Sequence, residues 1–520
     1  MTDAPGPLDP IVPKPWQTGL APVYIGAFLW VAFFDQLGRR ALPVGGLGWS
    51  LLGALAAGPL AYALLFRVPA TWGQQAGRPL DGVAASTFGA RGAGAVPGLL
   101  MAIGQVLFFA VAVAYAVDLT YGGLVLGRMI DPLPLRPVVL GGATLRAPLF
   151  LATALFWALA TALIGFRFAR WIAALMQFFP IFPALLLGLA MVGSMAGLRS
   201  FRPSGLDPIS GVAFPPGAAS WQAFLLTFQW VFAFTAMAGV AGADWGAGST
   251  SPRDVRDGGW VGVAFAPVVV AALALLAVAG HQGGGGPSAD ARDAPARSRP
   301  GEARMPPSGS SIEELPGPGG GRAVAPGPSS PAEAPAFTFR AVLVGGFGRR
   351  VGPAMLMVFG LASLAPACFS AFDFGRRLAT IGPGISRLTW TLIGATTAWL
   401  LIVAGWADRT EAIFHVVGGL FAPVAGAMAS DSWLARGRWP GPRRGVNPPG
   451  LVAWALGSAV GLAPTVALAL GSDRFARLQP AALAAFAVAF ATHAGLALVG
   501  LGSAPETPPG ADPITEKLPT

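Results

Sequence analysis

Apolar runs of about 20 residues, separated by short polar links, recur along most of this 520-residue chain. Such a run is what an α-helix needs to cross roughly 30 Å of hydrocarbon at 1.5 Å per residue. Inside lipid every backbone N–H and C=O must find a partner within the protein, so only helices and closed barrels span. A barrel would show alternating segments of about 10 residues, and this sequence has none. The expected fold class is therefore an all-α polytopic membrane protein. Composition agrees: 11% of residues are charged and mean hydropathy is +0.61, against about 25% charged residues in soluble domains.

Windows of about 19 residues place twelve transmembrane helices. They fall at 21–38, 43–66, 96–121, 147–166, 170–196, 221–246, 257–279, 351–373, 385–406, 410–431, 449–471 and 480–502. The segments 1–20 and 503–520 read as tails. The bias of Lys and Arg in the short loops favours both termini on the cytoplasmic side. The net charge of +10 is scattered between spans and forms no basic stripe, so no nucleic-acid partner is expected. Cys368 is the only cysteine, which excludes disulfides and thiolate clusters within one chain. Residues 281–337 are Gly, Pro, Ala and Ser with scattered charge, the composition of a disordered insertion. Abundant Ala, Gly and Pro, and two lysines among 34 basic residues, point to a GC-rich bacterial genome and an inner membrane.

Two aromatic stretches resemble each other: FLWVAFF at Phe28–Phe34 and FQWVFAF at Phe228–Phe234. They lie in the first and sixth spans, which are counterparts in a five-plus-five inverted repeat. Transporters built this way bind solute near the midplane, at broken helices of the two repeats. Repeat one would cover 21–196 and repeat two 221–431, with 449–502 as two extra C-terminal helices. Asp35-Gln36-Leu37-Gly38 and the group Gly239, Gly242, Asp244-Trp245-Gly246 are the expected breaks.

From Gly77, GRPLDGVAASTFGARGAGAVPGLLMAIGQVLFFAVAVAYAV resembles the approach to the third helix in the nucleobase–cation symporter-1 family, the cytosine, purine, hydantoin and allantoin permeases. LFAPVAGAMASDSWLARGRW from Leu420 is similar to that family's tenth-helix exit, and GVNPPGLVAWALGSAVGL to its eleventh-helix opening. LDPIVPKPWQTG and DWGAGSTSPRDVR resemble its approach to the first helix and its sixth-helix exit. The resemblance implies a cation-coupled secondary transporter of a small heterocycle, working by alternating access in the lipid bilayer, with sodium or a proton as coupling ion and no other cofactor. It puts the stacking aromatic on Phe108 and substrate contacts on Phe234, Thr235 and Met237, with Phe34 from the first span. Gln105, one helical turn before Phe108, would read the solute edge with its amide. In the eighth span the family's asparagine and hydroxyls are reduced to Pro366 and Ser363, which puts a standard sodium site in doubt. Asp35, Asp244 and Ser363 are then the ion-coupling candidates.

Asp118, Asp373 and Asp431 lie near helix ends, and their expected role is structural or interfacial. DQLGRR at Asp35–Arg40 and DFGRR at Asp373–Arg377 resemble a loop motif of major facilitator transporters, but the spans do not divide six plus six around a central loop. No zinc-protease helix, nucleophile elbow or phosphate loop is present, so no enzyme is expected. A sensor or scaffold of the same fold remains the alternative class; it would show a collapsed site between helices 1, 3, 6 and 8.

Overall fold

In this computed structural model, the described residues are 13–28, 32–131, 138–140, 143–205, 213–284, 339–471 and 478–506. Most of the expected insertion therefore lies outside the described residues; its first residues, His281–Gly283, continue the preceding helix. The helices run as α1 Leu20–Phe28, α2 Ala32–Gly45, α3 Leu47–Ala76, α4 Leu80–Phe88, α5 Ala90–Leu126, α6 Pro148–Arg167, α7 Ala169–Ser200, α8 Pro216–Ala247 and α9 Pro252–Gly283. They continue as α10 Phe339–Ala362, α11 Leu364–Ile381, α12 Arg387–Val403, α13 Thr410–Leu434, α14 Pro448–Ala469 and α15 Ala481–Leu498. Each of the twelve expected spans meets one of these helices, with α1 and α2 together forming the first. The eighth is interrupted at Ser363, between α10 and α11; ahead of that span α10 also kinks at Gly348 (φ 74°). Outside the helices, Val138–Leu140 and Ala143–Leu145 pair as a short antiparallel hairpin between α5 and α6.

Burial separates centre from rim. In the most apolar part of α8, 83% of residues are buried, against 28% in α7. On α7, Trp171 is 76% exposed and Phe182 69%; such aromatics are stable only against lipid, the medium that replaces water around a bundle of this composition. The central α8 packs on α2, α3, α5 and α13, while α13, α14 and α15 pack on one another at one edge. This is the expected all-α bundle with two added helices at its C-terminal end.

The two aromatic stretches of the repeat meet at the centre. Phe33 of α2 and Phe234 of α8 stand edge to face, 5.0 Å between centroids. Phe234 meets Phe414 of α13 the same way at 4.9 Å, and Trp230 also stands edge-on to Phe414. Such pairs contribute about 0.5–1.5 kcal/mol beyond area burial.

The expected breaks are corrected. Asp35–Gly38 lies inside continuous α2, and Gly239–Gly246 lies inside continuous α8. The α8 glycines serve close packing. A Cβ on Gly246 would strike the carbonyl of Ala70, one on Gly242 the ring of Phe66, and one on Gly239 Leu65, all on α3. The fit is reciprocal, for a Cβ on Gly73 of α3 would strike the Ala243 carbonyl of α8. Membrane helices gain little from a hydrophobic effect between themselves, so small residues that let backbones touch supply the attraction.

The residues 13–19 lie on the same face as the C-terminal end of α8: the Lys14 amide donates to the Gly248 carbonyl at 2.8 Å, and that of Trp16 to Asp254 Oδ1 at 3.1 Å. This face is termed proximal and the opposite one distal. Gly73→Ala or Gly246→Ala should lower stability by about 1–3 kcal/mol through overpacking, read as a fall in the melting temperature of the purified protein. Gly217→Ala, where a Cβ meets open space, should leave it unchanged.

Candidate functional site

A cavity of about 330 Å³ lies between α1, α5, α8 and α11, with Met176 of α7 and Pro79 completing its wall. Its shape follows from the helices that bound it. Tyr24 of α1 donates its hydroxyl to the Ala238 carbonyl of α8 at 2.7 Å, fixing the distance between those two walls. Met237 folds against Gly104 of α5, where the missing side chain leaves room for its thioether.

Toward the distal side the cavity ends on rings. Phe108 of α5 lies 6.0 Å from Phe234 and 5.7 Å from Phe414. Together with Phe33 these rings form an apolar plug. Nearer the proximal side, Trp245 and Phe369 face each other at 6.3 Å, with planes 29° apart.

The proximal end is closed by charge. Asp373 of α11 receives Arg376 Nη2 on Oδ1 at 2.7 Å and Arg377 Nε on Oδ2 at 2.7 Å. These are i,i+3 and i,i+4 pairs on one helix, the spacing at which side chains meet. Arg377 also reaches across to Asp244 Oδ2 of α8, and the Leu80 amide that opens α4 donates to Asp244 Oδ1 at 2.8 Å. Gln105 Nε2 of α5 donates to Asp373 Oδ2 at 3.1 Å. Arg377 is only 3% exposed. A guanidinium so placed is tolerable because two carboxylates compensate it. The network ties α4, α5, α8 and α11 together at one point.

Of the nine residues singled out in the sequence, Gln105, Phe108, Phe234, Met237 and Asp244 line this cavity. Thr235 is buried and donates its hydroxyl to the Val231 carbonyl at 2.6 Å, outside the lining. The Ser363 hydroxyl donates to the Gly360 carbonyl at 2.7 Å and also lies outside the lining. Asp35 sits on the distal side, where it accepts from Tyr115 Oη at 3.2 Å and from the Phe339 amide at 2.8 Å. There its charge caps the start of α10. The side chain of Phe34 lies outside the described residues.

The sequence reading missed Arg376, Arg377, Ser370, Trp245 and Phe369 as site residues, and assigned Asp373 a structural or interfacial role. The signal for the charged three was present in DFGRR: an acid and two bases at helical spacing inside an apolar span, where ionisable groups mark function by default.

Arg377→Met takes its close ion partner from Asp244 and one of two from Asp373, in an apolar interior. Losing one partner of such a pair typically costs about 3–5 kcal/mol; thermal unfolding in detergent should show it, with part of the loss recovered in Arg377→Met/Asp244→Asn.

No family model and no curated protein matches this sequence. Solved structures do. The inward-facing conformation of Mhp1 superimposes with a TM-score of 0.58 at 15% identity, over 97% of each chain. A closed conformation of Mhp1, described as a nucleobase-cation-symport-1 family transporter with bromovinylhydantoin bound, gives 0.54 at 16% identity, over 95% of this chain and 97% of that one. A sodium-coupled sialic acid symporter in a substrate-bound outward-open state gives 0.51 at 13% identity, over 95% and 92%. At these identities the shared property is the fold, and this chain matches the helical transporter fold of Mhp1 over 97% of its length.

Proposed function

We propose that this protein is a secondary transporter that moves a small planar heterocycle, of the nucleobase or hydantoin kind, across a bacterial inner membrane by alternating access. The observation that carries the proposal is the cavity. It sits at the centre of the bundle, and at about 330 Å³ it falls within the roughly 300–1,000 Å³ of small-molecule sites. Phe108, Phe234, Trp245 and Phe369 offer ring faces, and stacking on an aromatic contributes about 1–3 kcal/mol per base in nucleic-acid sites. Gln105, Ser370 and Arg376 bring an amide, a hydroxyl and a guanidinium to the same wall. Those groups match the alternating donors and acceptors of a cyclic ureide or imide edge. A hydantoin derivative bound to a protein of this fold agrees with that class of solute.

The scaffold alternative required a collapsed site between these helices, and an open, polar-edged cavity favours transport over it. The major facilitator reading fits a different helix arrangement and finds no support in this fold. In the proposed cycle the proximal face is cytoplasmic, as the Lys and Arg bias indicates. Sodium or a proton supplies the driving force.

Thermal stabilisation in detergent tests the reading. Nucleobases, hydantoins and related heterocycles are added with and without sodium and across pH. A solute present at 100 times its Kd should stabilise the protein by about 2.7 kcal/mol. Phe108→Ala should weaken that solute roughly 5- to 150-fold, from a loss of about 1–3 kcal/mol, and Gln105→Ala should weaken it as well. Silence of the whole panel would overturn the heterocycle assignment.

A further inference from the structure

Beside the proximal end of the cavity stands an acidic side chain that the ion pairs there do not use. Asp81 is the second residue of α4, directly after the Leu80 amide that is clamped onto Asp244. The side chain is half-buried, and its buried Oδ1 has no hydrogen-bond partner among the described residues. The oxygen rests on α5 instead: a Cβ built on Gly98, in the π-helical turn Gly94–Gly98, would lie 3.1 Å from it. The charges that act on Asp81 are Arg377, Arg376 and Asp373 of α11 and Asp244 of α8. Those two cations and two anions already pair with one another. Arg387, a further cation of this region, lies 4.1 Å over the ring of Phe372, beside Arg376 and Asp373.

A buried carboxylate oxygen without a partner is costly when ionised, and uptake of a proton removes that cost. A metal cation is a poor alternative. Hard cations need several oxygen ligands, and the neighbouring carboxylates of Asp244 and Asp373 are already taken by Arg376 and Arg377. We propose that Asp81, set against the closed Asp244–Arg377–Asp373–Arg376 network, is a binding site for one proton, held while α4, α8 and α11 are clamped together. Parting of these helices hydrates Asp81 and releases the proton. Only the use of this proton to drive solute rests on the transport reading; the site itself does not.

Burial pushes the Asp81 carboxyl up, against the pull of Arg377. The folded protein then holds a proton that the unfolded chain releases, so stability is full at low pH and lost as pH rises through the folded-state value. Infrared spectra of the full-length protein in lipid, titrated with pH, test the proposal through the carbonyl band of a protonated carboxylic acid. The expected result is a band that fades as pH rises, is missing in Asp81→Asn and is displaced in Asp81→Glu. The fall of melting temperature with rising pH should also be flatter in Asp81→Asn. A wild-type spectrum without a titrating band, or a band that stays unmoved in Asp81→Glu, overturns the proposal. The Glu variant decides the question even where the Asn variant does not fold. Neither readout needs a solute, so a silent heterocycle panel leaves this result standing, and loss of the band leaves a positive panel standing.

Discussion

A guanidinium bridging two carboxylates inside an apolar bundle is the interaction on which the rest of this structure turns. Arg377 joins Asp373 on its own helix to Asp244 on the central α8, and the Leu80 amide and Gln105 complete the shell. α8 and α11 cannot part without taking Asp244 from Arg377, so the two must shift together or rehydrate the pair as they separate. Its strength comes from the low dielectric around it, which raises both the attraction and the penalty for breaking it.

The distal closure is of another kind. Phe33, Phe108, Phe234 and Phe414 close it by ring packing, with the Asp35–Tyr115 and Arg340–Asp118 contacts on the same side. Ring packing is short-ranged and can be remade around a flat solute, whereas an ion pair is kept or lost. A cavity with one adaptable end and one charged end is asymmetric in energy as well as in shape. In the proposed cycle the aromatic end senses the solute and the charged end sets which face is sealed.

Much of this was legible in the sequence, for reasons that differ by element. The spans were readable because lipid imposes one length on every crossing helix. The two aromatic stretches were readable from their composition, and Phe33 against Phe234 shows where they meet. Gln105 stood out as a polar group inside an apolar run. The supposed breaks were misread because glycine in a membrane helix has two uses. Gly242 and Gly246 look like helix weakeners in one dimension, and only the backbone of α3 lying against them shows that they are contact points. Arg376 and Arg377 were misread for a related reason. Basic residues at a span end orient membrane helices, and the sequence does not say that α11 runs on to Ile381 and keeps both inside the bundle.

The charge balance of the site also bears on what it accepts. Asp244, Asp373, Arg376 and Arg377 reach the cavity wall as two acids and two bases already paired. A charged solute entering here would compete with those pairs and leave one of their members unmatched, which is the costly outcome in a dry site. A neutral solute can take hydrogen bonds from the outer atoms of the same groups without breaking them. Discrimination by unpaired buried polar groups is steeper than discrimination by apolar contact. In the proposed cycle the network at the proximal end would therefore also select for neutral, edge-polar rings over their ionised analogues.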